Sequence, residues 1–458
     1  MEKVHKYEVN KKSSYIKRVN EKKSIYILSF IFLVVYYFMP QYFGISVAGF
    51  DLTAQRFMML VMILYIISYT KVINEFIALV RESIYLPYIF AFMCVTLYTM
   101  VFRVDINTFM QSAIEFICLF LLVYIIKNVL GIEKTLQIIK VLLLIMCLQG
   151  IIEYVLQFSL FQILETLPGK INIQIRSGSY RIMGPCNHAL AYGLVLILSF
   201  PLVCVDIQKR TLNLLQNKFL FIILTINIFL TGSRSALAIF IVESIVIIIL
   251  SDKRNKKKTI VFLFWFFSIG IFVILALYNT SLSQTILRQF ASIIDEIFGT
   301  QWAVKFGAEI TRLNQSSSYR SLLPKVFIQK WLNPLIGRGV SKHFSAIIDG
   351  YTIMSIDNFF VAQYIRYAYP GLIIYVLFLI NTLIKMLRNV KINKGLVLAC
   401  LIGFVSYYVN LWFMDALQTL KYAYLIMAIF QVVLIENNVN ENNVNESVIK
   451  EKKSKYIK

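Results

Sequence analysis

The sequence predicts an all-α integral membrane protein of about twelve transmembrane helices. Three observations predict it. Apolar residue types make up 59% of the 458 residues and charged types only 15%, too little charge to cover a soluble surface. Mean hydropathy is +0.71, and the apolar residues gather in runs close to the roughly 20 residues of one helical crossing. The basic residues concentrate in every second connection between those runs, as the positive-inside rule requires. Disorder, secretion and a lone membrane anchor are excluded by the same figures.

Lys and Arg number 46 against 24 Asp and Glu, a net charge of +22. In a soluble chain that excess would suggest nucleic acid. In a multi-span chain it is the charge that cytoplasmic connections collect, so no nucleic-acid partner is expected. Six cysteines, Cys94, Cys118, Cys147, Cys186, Cys204 and Cys400, form no CxxC pair. Neither a zinc site nor a disulfide framework follows from them.

The elements follow in order. Residues 1–23 form a basic cytoplasmic tail. The first apolar run, Ser24–Met39, has the look of a signal peptide, but no small-x-small cleavage site follows closely and many runs come after it. It therefore reads as the first span. Residues 24–278 hold spans 1–9. The later ones are Leu52–Tyr69, Ile84–Phe102, Phe109–Leu130, Leu136–Phe158, His188–Val205, Phe219–Leu230, Ser235–Leu250 and Ile260–Tyr278. Residues 370–435 hold spans 10–12, as Pro370–Met386, Leu396–Phe413 and Leu420–Ile435. An even count places both termini on one side. Lys209-Arg210, Lys253-Arg254, Lys256 to Lys258, and Lys385 to Lys394 make that side the cytoplasm. The short outer connections carry few basic residues: Arg56, Arg103, Arg234 and Lys421.

Two outer connections are long: Ser159–Asn187, and 279–369 between spans 9 and 10. The second is rich in Trp, Phe, Ile and Leu, so short helices packed over the outer mouth are expected rather than a structureless loop. At the C-terminus, 436–458 repeats Glu-Asn-Asn-Val-Asn and is expected to be a disordered cytoplasmic tail. No long internal repeat is visible, which weighs against an inverted-repeat transporter.

No phosphate-binding GxxxxGK[ST] loop, HExxH or DxD is present, and Gly337-Arg338-Gly339 lacks the rest of a dinucleotide fingerprint. Chemistry must then rest on Arg, Asp, Glu, Tyr and His at the outer face, and no cofactor or metal is expected. Arg234 falls in Thr231-Gly232-Ser233-Arg234-Ser235 between two apolar runs. Thr231 or Ser233 can cap the next helix and Gly232 can turn the chain. A cation alone is disfavoured at that end of a helix. With an anion bound, free N–H groups and a guanidinium converge favourably. The alternative is an arginine that snorkels to lipid headgroups.

Arg181 lies in Tyr180-Arg181-Ile182-Met183-Gly184-Pro185-Cys186-Asn187-His188, which leads into the sixth span with Asn187 as a plausible N-cap. It is either a solvated loop residue or a binding one. His188 reads as a structural histidine at a helix start or, secondarily, a catalyst. In the long loop come Tyr319-Arg320, Asn333-Pro334-Leu335-Ile336-Gly337-Arg338-Gly339, His343, and Asp357-Asn358 ahead of an amphipathic stretch with Gln363 and Arg366. Polar residues over a membrane mouth serve either binding or surface ion pairs. Glu243, nine residues after Arg234, stands about 13 Å deeper and on the opposite helix face. Glu243, Glu115 and Glu153 are intramembrane carboxylates, functional candidates by default.

Together these motifs resemble the O-antigen polymerase and O-antigen ligase superfamily of bacterial envelope glycan assembly. The resemblance covers 180–371 by motif and the whole chain by span count and loop placement. It implies a GT-C-type glycosyltransferase bundle in the bacterial cytoplasmic membrane. The implied reaction is transfer, on the outer face, of a glycan carried on undecaprenyl pyrophosphate, without metal or nucleotide sugar. One lipid-linked glycan is donor and another acceptor, and a chain-length regulator and a flippase are the implied protein partners. Carried over by position, Arg181, Arg234 and Arg320 bind the pyrophosphate. Asp357 stands near the place where the ligase branch commonly has a histidine base, which favours a polymerase of O-antigen or capsule. Arg234, Arg320 and Asp357 are then the catalytic set, with His188, Arg338, His343 and Asn358 as secondary candidates. A ligase onto another acceptor and a lipid-linked glycan flippase are the alternative functions.

Overall fold

The computed structural model describes residues 23–47, 50–173, 175–176, 179–308, 322–342, 344–353 and 356–456. Helices dominate it. They are α1 (Lys23–Phe38), α2 (Ala54–Ser68), α3 (Thr70–Arg81), α4 (Leu86–Arg103), α5 (Ile106–Tyr124, prolonged by a π turn to Leu130), α6 (Ile132–Leu156) and α7 (Ala189–Val203). After them come α8 (Lys218–Leu230), α9 (Arg234–Leu250), α10 (Lys253–Ala276), α11 (Ser281–Phe298), α12 (Phe359–Arg388), α13 (Lys394–Asn410) and α14 (Leu420–Tyr456). Strands occur among the described residues as four antiparallel hairpins in connections: β1–β2 (Gly44–Val47, Phe50–Thr53), β3–β4 (Ile175–Arg176, Ser179–Tyr180), β5–β6 (Val205–Asp206, Thr211–Leu212) and β7–β8 (Ala346–Ile348, Tyr351–Ile353).

Six of the described helices are long and apolar enough to cross a membrane: α4, α5 with its π turn, α6, α10, α12, and the part of α14 within Leu417–Asn438. The α2–α3 pair, bent by 113° at Tyr69, makes a seventh candidate, and α1, α7, α8 and α13 are shorter apolar helices. The chain is thus a multi-pass membrane protein. Each of the twelve apolar runs coincides with a helix, because a long apolar run satisfies its backbone most simply as a helix.

Hydrogen bonds between connections define two ends of the bundle. At one end Gly44 N donates to Thr166 Oγ1 (2.8 Å), Ile182 N to Leu230 O (3.2 Å), and Phe359 N to Leu411 O (3.0 Å). At the other, Gly395 N donates to Arg210 O (2.8 Å) and Lys140 Nζ to Val205 O (3.3 Å). Within the bundle, Asn227 of α8 joins three helices. Its Nδ2 donates to Cys147 O (2.8 Å) and its Oδ1 accepts from Tyr192 Oη (3.1 Å). Gly150 lets α6 approach this amide, since a Cβ there would stand 2.0 Å from Asn227 Oδ1.

Three expectations are corrected. The tail 436–456 continues α14 as helix rather than disorder, and it holds no Gly or Pro to stop one. The tenth apolar helix starts at Phe359, not Pro370. It is one element broken at Ala368, whose φ of 56° and ψ of −165° are non-helical. The N-cap of α7 is His188 and not Asn187.

The break explains the Asn333-to-Gly339 motif. Ile365 and Arg366 lose the helical donors for their carbonyls, and Arg338 N (2.8 Å) and Gly339 N (3.1 Å) replace them, while Tyr369 N donates to Pro334 O (3.1 Å). Gly337 must be glycine, because a Cβ there would meet Arg366 O at 2.0 Å. From the far side Arg103 Nε donates to Gly337 O (2.6 Å) and Nη2 to Ile336 O (3.1 Å). The Asp105 carboxylate accepts from Val340 N (3.1 Å), Ser341 N (3.1 Å) and Ser341 Oγ (2.7 Å). Burial works to raise the Asp105 pKa, and the bonds from Thr108, Ser341 and Val340 outweigh it and hold the carboxyl below its ordinary value. The motif is a clasp that holds the loop onto α4, α5 and α12. An alanine in so sparse a backbone region costs about 1–3 kcal/mol, which these bonds offset.

Candidate functional site

The end bearing 157–188, 231–233 and 411–421 gathers the polar residues. Ser233 caps α9, its Oγ accepting from Ala236 N (3.3 Å), and Arg234 is the first residue of the helix. Gly232 before them has φ +62°, a turn disfavoured for other residues. Arg181 lies over it. A Cβ at Gly232 would stand 2.8 Å from Arg181 Nε, and that Nε donates to Thr231 O (2.7 Å). The two arginines therefore meet at one turn from segments about fifty residues apart, and Arg181 is only 6% exposed.

A carboxylate inside the bundle positions Arg181. Glu153 of α6 accepts from Tyr180 Oη (3.0 Å), Met183 N (2.8 Å) and Gly184 N (3.0 Å), on both sides of Arg181. Gly184, at φ +51°, leaves room for the Tyr192 ring. Glu153 thus serves as an anchor for the arginine loop, which answers why a carboxylate sits there.

His188 Nδ1 accepts from Leu190 N (2.9 Å), so the ring proton belongs on Nε2 in the neutral form. Burial lowers its pKa to about 4 from 6.5, with the Arg181 charge adding to the effect. The unfolded chain then takes up a proton between those values and the folded chain does not. The contribution to stability is complete above about pH 6.5 and is lost as pH falls toward 4. His188→Asn keeps a capping side chain and cannot titrate. The melting temperature of this variant should drop less than wild type's on acidification from about pH 7 to about pH 4.5. Parallel drops in the two proteins would contradict this account.

A second polar group faces the same end. Arg366, two residues before the break in α12, forms a bidentate ion pair with Asp415, and both are largely buried. Burial pushes the Asp415 carboxyl up, Arg366 draws it back, and Asp357 lies near enough to raise it further. Glu115 of α5 is within electrostatic reach of Arg366 and Arg56. Between the two groups sits Lys421, 6% exposed, whose Nζ donates to Met39 O (3.1 Å). Its charge is felt at Cys186 on one side and Cys118 on the other. Gln418 donates to Asn187 beside it.

Of the residues singled out in the sequence, Arg181, Arg234 and His188 come together. Asp357 is exposed and falls in the Arg366–Asp415 group. Asn358 is buried as the N-cap of α12, accepting from Val361 N (3.1 Å) and donating to Trp412 O (3.0 Å). Arg338 stacks on Trp331 (5.6 Å) and Phe344 (5.9 Å) as part of the loop's own packing. Arg320 and His343 lie outside the described residues. Glu243 is buried in α9, where its carboxyl faces Ser406 of α13.

No protein-family model matches the chain. No curated protein matches it either. The functional reading therefore rests on the residues themselves. They offer a helix N-terminus with Arg234 at its start, a second guanidinium fixed over the same turn, and a neutral histidine beside them. That arrangement suits an oxyanion of high charge, since N–H groups and guanidinium forks both prefer phosphate-type oxygens. Asp357 supplies a carboxylate at the other group.

Proposed function

We propose that the chain is a metal-independent glycosyltransferase of the GT-C type with twelve transmembrane spans and both termini in the cytoplasm. Its reaction is polymerisation of undecaprenyl-pyrophosphate-linked oligosaccharide repeats into a surface polysaccharide, O-antigen or capsule, on the outer face of a bacterial cytoplasmic membrane. The observation that carries the reading is Arg181 laid across Gly232 at the turn that opens α9 with Arg234. A pyrophosphate leaving group gains charge as the glycosidic bond breaks, and preorganised cations at a water-poor site stabilise that charge. The opposite end of the bundle carries Lys209, Arg210, Lys253, Lys256, Arg388, Lys391 and Lys394, which supports its assignment to the cytoplasm.

In this reading Arg181 and Arg234, with Arg320 as third member, hold the pyrophosphate. A hydroxyl of the acceptor glycan attacks the anomeric carbon, the carbon–oxygen bond to the pyrophosphate breaks, and the hydroxyl proton passes to Asp357. A deletion strain tests the assignment through what accumulates. Single lipid-linked repeats on the outer leaflet are expected. Full-length unattached polymer would make the protein a ligase, and repeats retained on the inner leaflet would make it a flippase.

A further inference from the structure

Helix α11 lies across both segments that bring arginines to the turn. It packs on β4, whose Tyr180 precedes Arg181, and on α9, which Arg234 opens. The Phe290 ring meets Phe229 at the end of α8, with centroids 5.5 Å apart. Beside it, Gln289 Nε2 donates to Phe229 O (2.9 Å). That carbonyl also accepts from Gly232 N (3.0 Å). The Gln289 amide therefore stands one carbonyl away from the glycine over which Arg181 lies.

Packing alone does not account for this glutamine. The buried residues described for α11 are Ser283, Gln289, Ala291 and Ser292, whereas a helix laid on a bundle ordinarily buries large apolar side chains. Nor does the Phe229 carbonyl need the amide, because Gly232 N already satisfies it. Gln289 is 5% exposed, and its Oε1 has no hydrogen-bond partner among the described residues. Only Nε2 can donate to a carbonyl, so the oxygen is the atom left over. A buried acceptor without a donor is destabilising, and a ligand that brings a donor to it removes that cost.

We infer that Gln289 Oε1 accepts a hydrogen bond from the sugar bonded directly to the pyrophosphate, which makes Gln289 a residue that reads the donor's first sugar. The inference rests on the function proposed above. One oxygen joins the anomeric carbon to phosphorus, so a donor whose pyrophosphate lies at the Arg181–Arg234 turn holds its first sugar against the elements flanking that turn. A ring hydroxyl or an acylated amino group of the sugar supplies the missing donor. Gln289 is closed off from solvent in this structure, so α11 lifts to admit the sugar. Its tether permits that, since Thr259 is the one buried residue described on α10.

The test uses the purified full-length protein in lipid nanodiscs. The probes share lipid and pyrophosphate: free undecaprenyl pyrophosphate, and the lipid-linked repeat extracted from the deletion strain. Gln289→Met keeps the length of the side chain and suits its burial, while removing both polar atoms. The variant should bind the lipid-linked repeat about 10-fold more weakly than wild type, with its affinity for free undecaprenyl pyrophosphate unchanged. That second affinity also reports whether the arginine turn is intact in the variant. Unchanged affinity for the lipid-linked repeat would overturn the inference, since Gln289 would then not touch the sugar. Equal weakening for both probes would overturn it as well, leaving Gln289 as a support of the turn. Failure of wild type to bind one or both probes would overturn the proposed function, and this inference with it.

Discussion

Arg234→Lys is expected to lose polymer-forming activity by about 30- to 1,000-fold, with the protein still inserted at wild-type abundance. The reason is geometric. Arg234 opens α9 directly after its Ser233 cap, at the positive end of the helix, and Arg181 is fixed over the preceding Gly232. Two arginines at one turn bring two positive charges to bear on a pyrophosphate, and a guanidinium can bind phosphate oxygens bidentately. An ammonium keeps the charge but presents a point donor on a longer, freer stem. Removing one charge-assisted hydrogen bond at a water-poor site costs about 2–4 kcal/mol in the transition state. Packing changes little, because the position is only half-buried. The measurement is polymer yield from a deletion strain complemented with each variant, normalised to membrane protein level. Near-wild-type polymer from the lysine variant would leave Arg234 as a headgroup contact, since lysine snorkels as well as arginine does.

The apolar runs made the fold's helices legible, because burial of a backbone in hydrocarbon leaves little choice of structure. What followed one run was not legible in the same way. Helix α3 follows α2 after a 113° bend with only one residue between them. Its Lys71, Asn74, Glu75 and Arg81 alternate with Val72, Ile73, Phe76 and Val80, a pattern for lying on a surface that a search for continuous apolar runs passes over. Long-range pairs left no local mark. Arg366 and Asp415 are 49 residues apart, and nothing near either one names the other. Glu153 raised a functional question that geometry answered, since its oxygens take the N–H groups of the arginine loop. The Asn333-to-Gly339 motif was legible as a motif, yet its glycines serve close approach to the broken α12 and to Asp105. A glycine that lets two backbones meet and one that lets a ligand in look alike in sequence.

Asp357→Asn is expected to lower activity by about 100- to 10,000-fold, the range for removal of a general base. The substitution keeps the side chain's shape and removes its capacity to accept the acceptor's proton. The surroundings make Asp357 the better candidate of the two nearby aspartates. Asp415 is largely buried and committed to the Arg366 fork, so its oxygens are engaged in holding α12 to the connection before α14. Asp357 is exposed at the residue before the α12 cap, within reach of an acceptor that arrives from the aqueous side. Asp357→His should retain part of the activity, because an imidazole can accept the same proton. A residue that only ordered the loop by hydrogen bonding would behave in the opposite order, with Asn tolerated and His harmful. Polymer length on a gel, at matched protein level, separates the two rankings. Wild-type laddering from Asp357→Asn would remove Asp357 from the reaction. The arginine turn would then have to carry catalysis by stabilising the departing pyrophosphate, with the acceptor's proton released to solvent or to the leaving group itself.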